Sequence, residues 1–207
     1  ATLPSCLLRW EGATEAQQAF MRRVYERQMK TAALGGRVPL IAAADDVAEI
    51  EEGATARVDV AAAARRLLAS ARAAAPAGGT LGVVTGYRSA LFQLEIWEYH
   101  FPARYEATVS ARRRAVGGPH GRAAVALLAR RIARQTAAPG FSLHQRGEAI
   151  DLKCGRASGD QLMATARFLT AWKRSWCLDW LADHAASFGF AANPDIDEPW
   201  HWEFQAR

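Results

Sequence analysis

Two short stretches some fifty residues apart restrict this chain more than anything else in it. Pro139 to Asp151 reads PGFSLHQRGEAID, and Glu198 to Glu203 reads EPWHWE. Between them they hold two histidines, His144 and His201, and two carboxylates, Asp151 and Glu198, each set beside Gly, Pro or Trp. Asp151 stands in an otherwise apolar run, AIDL, where a carboxylate is costly unless its charge is compensated. A metal ion compensates it well, so the fold is expected to bring the two stretches together. Two imidazoles and one carboxylate make a three-ligand set that suits zinc, with one position left for water. Glu198, three residues before His201, can then serve as the base.

The plainer reading of each residue is weaker. A lone loop histidine is ordinarily a hydrogen-bonded surface residue, and a strand aspartate is ordinarily paired with an arginine. Here four such residues share equally unusual settings, which favours the metal. His100, His120 and His184 have no comparable neighbourhood, and His184 reads as part of a helix face. Trp200 and Trp202 are expected to pack or to shape a cleft rather than to perform chemistry.

At 207 residues the chain can bury one substantial core, so a single domain with a helical extension is expected. No window approaches the roughly 18 uninterrupted apolar residues of a membrane span, and a soluble chain is expected. The formal charge of +5 favours polyanionic surroundings, a description that cell-wall polymers, nucleic acid and anionic lipid all satisfy. Cys6, Cys154 and Cys177 form no paired framework and no CxxC motif; with an odd number, at least one stays free or pairs with another chain. The first residue is Ala, and no charged region followed by an apolar one marks a signal peptide.

Residues 1–12 read as an irregular lead-in anchored by Leu7, Leu8 and Trp10. A helix is expected from Thr14, whose capping-box spacing to Gln17 precedes a face of Ala16, Phe20, Met21 and Val24, with Gly35 and Gly36 at its end. Residues 37–55 read as a connection with at most a helical turn. A second helix is expected over about Thr55 to Ala75, a strand over 80–86, and a third helix from about Ser89 to His100. Residues 101–138 carry the basic cluster Arg112 to Arg114 and a helix in which Val125, Leu128 and Ile132 alternate with Arg130, Arg131 and Arg134, a pattern that reads as a solvated face. Glu148 to Lys153 alternates as a strand with Ala149 and Asp151 on one face. Asp160 is expected to cap a long helical region, a further helix to run from about Ser175 to Ser187 before Gly189, residues 190–198 to form a loop, and Trp200 to Phe204 a last strand. Helices early and strands late indicate an α+β architecture.

The motifs carry a family resemblance. Ser142-Leu-His144-Gln-Arg-Gly147-Glu-Ala149-Ile-Asp151 resembles the SxHxxGxAxD pattern of the VanY-type D-alanyl-D-alanine carboxypeptidases. Glu198 to His201 resembles their ExxH element, and Gly86-Tyr87-Arg88-Ser89 with Gln93 their YRS...Q element. Trp180-Leu181 and Phe188-Gly189-Phe190 are similar to the family's WL...FGF core helix and its ending. The likeness covers roughly residues 56–207, and the family includes L-alanyl-D-glutamate endopeptidases and shares its fold with the Hedgehog signalling domain.

This resemblance implies a Hedgehog/DD-peptidase-like fold, with a small, mainly antiparallel sheet flanked by helices, and an extra N-terminal helical segment over 1–55 packed on a catalytic domain over 56–207. It implies one zinc ion held by His144, Asp151 and His201, Glu198 as catalytic base, and Arg88 facing the substrate carbonyl or carboxylate. Ser142, Gln93, Tyr87 and Trp200 would bind substrate or support the site. The implied substrate is a peptidoglycan peptide containing D-amino acids, not nucleic acid, cut by a monomer in the periplasm or at the cell wall. A D-alanyl-D-alanine carboxypeptidase is the leading expectation, with an L-alanyl-D-glutamate endopeptidase or a non-catalytic zinc module as alternatives.

Overall fold

A computed structural model describes residues 3–35, 46–156 and 158–205. In chain order these form α1 (Glu15–Leu34), the strands β1 (Val47–Glu51) and β2 (Ala54–Arg57), α2 (Val58–Ala74), β3 (Thr80–Thr85), α3 (Ala90–Ala107), α4 (Val109–Arg113) and α5 (Arg122–Ala133). There follow β4 (Ala149–Gly155), β5 (Gln161–Leu162), α6 (Leu169–Trp172), α7 (Trp176–His184), β6 (Phe190–Ala192) and β7 (His201–Phe204). The chain divides into two compact units, one within Ala1–Ala43 and Ser89–Ser142, the other within Ala44–Arg88 and Leu143–Arg207.

The first unit is helical. Thr14 and Gln17 close the capping box that starts α1, as their spacing requires. Phe20, Met21 and Val24 are buried, whereas Ala16 is exposed, so the apolar stripe begins one turn later than expected. In the lead-in Leu8 is the buried anchor and Leu7 is exposed. Gly35 caps α1; Gly36 and the apolar run to Ala44 lie outside the described residues.

The third helix does not stop at His100. It continues through Pro102 to Ala107, because Trp97, Phe101 and Tyr105 recur at four-residue spacing and all bury on one face. That burial outweighs the hydrogen bond that Pro102 removes. The segment 101–138, uninformative by pattern, therefore supplies core: Phe101, Tyr105, Leu128 and Ile132 join Phe20 and Trp97 in one cluster. Arg130, Arg131 and Arg134 face solvent as expected, but Arg112 is fully buried. Its guanidinium lies 3.6 Å from the centre of the Tyr105 ring and donates to Thr108 Oγ1 and to the carbonyls of Tyr105 and Pro119. A buried charge with that many partners is compensated.

The second unit holds the sheet. β3, β4, β7 and β6 lie side by side in that order, β5 pairs with β4, and every pairing is antiparallel. Leu67 and Leu68 of α2, Leu81 and Val83 of β3, Ile150 and Leu152 of β4, Trp172 and Leu181 form one core. This is the α+β arrangement of helices around a small antiparallel sheet.

Several local expectations are corrected here. Residues 47–57 are an antiparallel hairpin, β1 with β2, and α2 starts at Val58 rather than Thr55 because 54–57 are paired in that hairpin. β4 is buried on both faces: Ile150 and Leu152 join the core cluster as one face, and Ala149 and Asp151, on the other, are buried as well. Asp160 caps no helix; its carbonyl closes a turn to the Arg156 amide, and the long helix expected after it is β5, a 3-10 turn and the four-residue α6. The 190–198 loop contains β6. Cys154 and Cys177 are joined in a disulfide that ties β4 to α7, contrary to the expectation of no paired cysteines, and the odd Cys6 is free and exposed.

Candidate metal centre

His144 sits in a 3-10 turn, Leu143–Arg146, just before β4, with only 1% of its surface exposed. Its Nδ1 lies 2.7 Å from the Gly86 carbonyl. A carbonyl can only accept, so Nδ1 carries the proton and Nε2 keeps its lone pair for a metal. The turn is stitched to its surroundings by backbone: the Arg88 amide donates to the His144 carbonyl at 3.2 Å, and the Arg57 amide to that of Gly147 at 3.2 Å. Gly147 has φ 65°, and a Cβ there would lie 2.5 Å from the Arg57 nitrogen. Gly86 is equally confined, since its Cβ would come within 2.2 Å of the Thr55 carbonyl oxygen. These glycines let the hairpin, the segment after β3 and the histidine turn approach one another.

β4 and β7 bring the other two donors together. Asp151 is the direct cross-strand partner of His201, and their Oδ1 and Nδ1 atoms are 2.9 Å apart. His144 Nε2 lies 3.3 Å from Asp151 Oδ2 and 3.2 Å from His201 Nδ1. All three residues are buried, and one donor atom of each lies within 4.8 Å of the others. A tetrahedral ion with bonds of about 2.0–2.1 Å sets its ligand atoms roughly 3.3 Å apart. The donor set therefore fits one divalent ion in both chemistry and spacing.

At Asp151 and His144 the electrostatics favour the deprotonated forms that bind a metal, whereas His201 is pushed the other way. Burial opposes ionisation of Asp151, but the two imidazoles outweigh it and hold the carboxyl well below its usual range. Burial pushes His144 down, towards the neutral form a metal ligand needs. For His201 burial pulls downward too, yet hydrogen bonds to Asp151 and Glu203 and the charges of Asp151 and Glu198 raise it to about 9.

Glu198 is half-buried, and its backbone carbonyl accepts from the His201 amide at 2.9 Å. Its charge is felt at both His201 and Arg88. Burial pushes the Arg88 guanidinium down, an effect that Asp151 and Glu198 partly offset. Arg88 Nε is buried without a hydrogen-bond partner. Arg88 and Tyr87 follow β3, and the Tyr87 amide donates to the Thr55 carbonyl. Trp200 is 5% exposed and belongs to the core of this unit. Ser142 and Gln93 are buried residues of the first unit, and Gln93 Nε2 donates to the Ala137 carbonyl at 2.9 Å.

Sequence reasoning gave no role to Glu203 or Asn193. Glu203 Oε1 lies 3.4 Å from His201 Nε2, and Asn193 Nδ2 donates to the same oxygen at 2.7 Å. A signal existed, because residues two apart on a strand share a face and Glu203 stands two beyond His201.

A small antiparallel sheet bearing a buried His–Asp–His group, with a glutamate just ahead of the second histidine, defines a Hedgehog/DD-peptidase-like domain with a candidate mononuclear metal site. Residues 54–207 match the family model VanY, D-alanyl-D-alanine carboxypeptidase, and the chain belongs to that family. Among solved structures it is similar to a vancomycin-resistance D,D-pentapeptidase VanY variant from the VanB-type cassette in complex with Zn(II), at 23% identity and a TM-score of 0.54, covering 82% of this chain and 83% of that one. It is also similar to VanYB in complex with D-alanine-D-alanine, at 23% identity and a TM-score of 0.54 over 81% of this chain and 82% of that one. No curated protein matches it.

Proposed function

We propose that this protein is a zinc-dependent peptidase that removes a terminal D-alanine from peptidoglycan stem peptides. The observation that carries the reading is the meeting of His144, Asp151 and His201 at 2.9–3.3 Å, ahead of which stands Glu198. Membership of the VanY family supports the substrate class, and the VanYB complex with D-alanine-D-alanine is the same ligand chemistry on the same fold.

His144 through Nε2, His201 through Nδ1 and Asp151 through a carboxylate oxygen would hold the ion. Zinc, when bound, supplies the Lewis acidity that polarises a peptide carbonyl and acidifies water. Glu198 takes a proton from the attacking water and returns it to the departing amine. Arg88, desolvated and within the fields of Asp151 and Glu198, offers its guanidinium to negative charge on the substrate. The description of the matching family, D-alanyl-D-alanine carboxypeptidase, favours carboxypeptidase over endopeptidase action, with the Arg88 charge suited to a free terminal carboxylate. No covalent intermediate is needed, and Cys154 and Cys177, the cysteines of the unit that holds the site, are bonded to each other. A disulfide also accords with action outside the cytoplasm, where thiols are oxidised.

The test is Glu198→Gln assayed on defined stem peptides, with products read by mass spectrometry. Turnover should fall by roughly 10²–10⁴-fold while zinc content stays at one per chain. Full activity in the variant removes Glu198 from the mechanism. Release of internal fragments instead of D-alanine makes the enzyme an endopeptidase, and an inert wild type with zinc bound makes the domain a binding module.

A further inference from the structure

At the far end of β4 from Asp151 the second unit carries a cavity of about 590 Å³, lined by Arg156, Arg167 and Arg174 together with Pro76, Ser175 and Trp176. Arg156 directly follows the last residue of β4, five positions beyond Asp151. At the ~3.3 Å rise of a strand this sets it about 16 Å from the metal ligand. The three arginines are exposed, the cavity lining holds no acidic residue, and among the described residues none of the three forms an ion pair. Lys173, next to Arg174, is by contrast paired with Asp197 at 2.6 Å, as Arg57 is with Asp59 and Glu148 and Arg72 with Glu51.

Three like charges around one concavity repel one another and focus a positive potential into it. Guanidinium forks match the oxygens of phosphate in pairs. The wall between them is not polar throughout. The indole of Trp176 is fixed by donation from its Nε1 to the Gly155 carbonyl at 3.2 Å, and it stands with Pro76 as a rigid apolar surface. Rigid apolar surface beside cationic forks fits a polyol or sugar unit flanked by phosphodiesters. Successive phosphodiesters keep their charge at any working pH and can meet several forks at once, whereas the stem-peptide carboxylates of a wall come singly.

We propose that this cavity is a docking site for a phosphodiester-linked polyol or sugar polymer, held by Arg156, Arg167 and Arg174 and separate from the metal centre. The choice of a wall polymer as its source rests on the proposed wall function; the preference for phosphate rests on the cavity alone.

The experiment measures binding of purified poly(glycerol phosphate) to the zinc-loaded protein by calorimetry. In parallel, cosedimentation is measured with intact cell walls and with walls stripped of phosphodiester polymers by hydrofluoric acid. The triple variant Arg156→Ala/Arg167→Ala/Arg174→Ala should bind the polymer at least tenfold more weakly and lose cosedimentation with intact walls. Stripped walls should hold the wild type no better than the variant. Raising salt from about 50 to 200 mM should weaken the wild type several-fold and the variant little. Zinc content and hydrolysis of a short soluble peptide should be unchanged in the variant, so loss of docking is read independently of catalysis. If the wild type cuts no peptide but the triple variant still loses the polymer, the hydrolase reading fails and the docking site stands. Undiminished polymer binding by the variant overturns the proposal. So does equal binding to stripped walls, or equally tight binding of a single-stranded oligonucleotide of the same charge, which would mark a general polyanion surface.

Discussion

The carboxylate of Glu203 lies 3.4 Å from His201 Nε2, while the other nitrogen of that ring faces Asp151 at 2.9 Å. A ligand histidine held at both nitrogens has its ring plane and tautomer fixed, and partners of this kind typically contribute 10–100-fold to metal affinity. Glu203→Gln should therefore weaken zinc binding by about that factor, measured by competition with a chelator of known affinity. Asn193→Ala, which removes a donor to Glu203 and an acceptor for the Asp195 amide, should have the smaller effect in the same assay. The three candidate ligands stood out in the sequence because polar residues stood where apolar ones were expected, as Asp151 does within AIDL, and because they fall in a family pattern. Glu203 was not, since an acid near the end of a strand looks like any solvent-facing residue until the strand's pairing with β4 is known. Arg112 was misread for the opposite reason: it sits in a run of three arginines, and nothing in the run marks the one that turns inward under Tyr105.

Among the elements, the glycine turns decide how the site closes. Gly147 adopts a left-handed conformation and has the Arg57 backbone 2.5 Å from where a Cβ would be. Gly147→Ala should cost about 1–2 kcal/mol from conformation alone, with a further contribution from the backbone clash. A thermal melt should show the loss, and weaker zinc binding should accompany it because His144 lies in the same turn. At α1, Thr14→Ala removes the cap that accepts from the Gln17 amide and should cost about 1 kcal/mol without changing zinc affinity. Caps and helix stripes were readable, as α1, α2 and α5 show. Short strands were not: β1 and β2 have five and four residues, and their pairing depends on a partner that local pattern does not reveal. The continuation of α3 past Pro102 was hidden likewise, because the penalty of the proline is local while the burial of Phe101 and Tyr105 is tertiary.

For the whole molecule, the Cys154–Cys177 disulfide closes a loop with a sequence separation of 23. Restricting the unfolded chain over such a loop is worth about 3 kcal/mol. Replacing both cysteines with serine should lower the denaturant midpoint accordingly, and a reducing agent should lower that of the wild type and leave the variant unaffected. The fold class followed from the order of helices and strands together with the family motifs, whereas the disulfide did not, since three cysteines give no parity signal and their pairing is set by where β4 and α7 meet. The pairing of β4 with β7 has one more consequence. Asp151 faces His201 only in the observed alignment; a slip by a single residue would set a tryptophan, Trp200 or Trp202, opposite it instead. A cation that needs both donors thus recognises one alignment among those the strands could sample, so ions present during refolding should act as a proofreader of the sheet, raising the yield of correctly threaded chains.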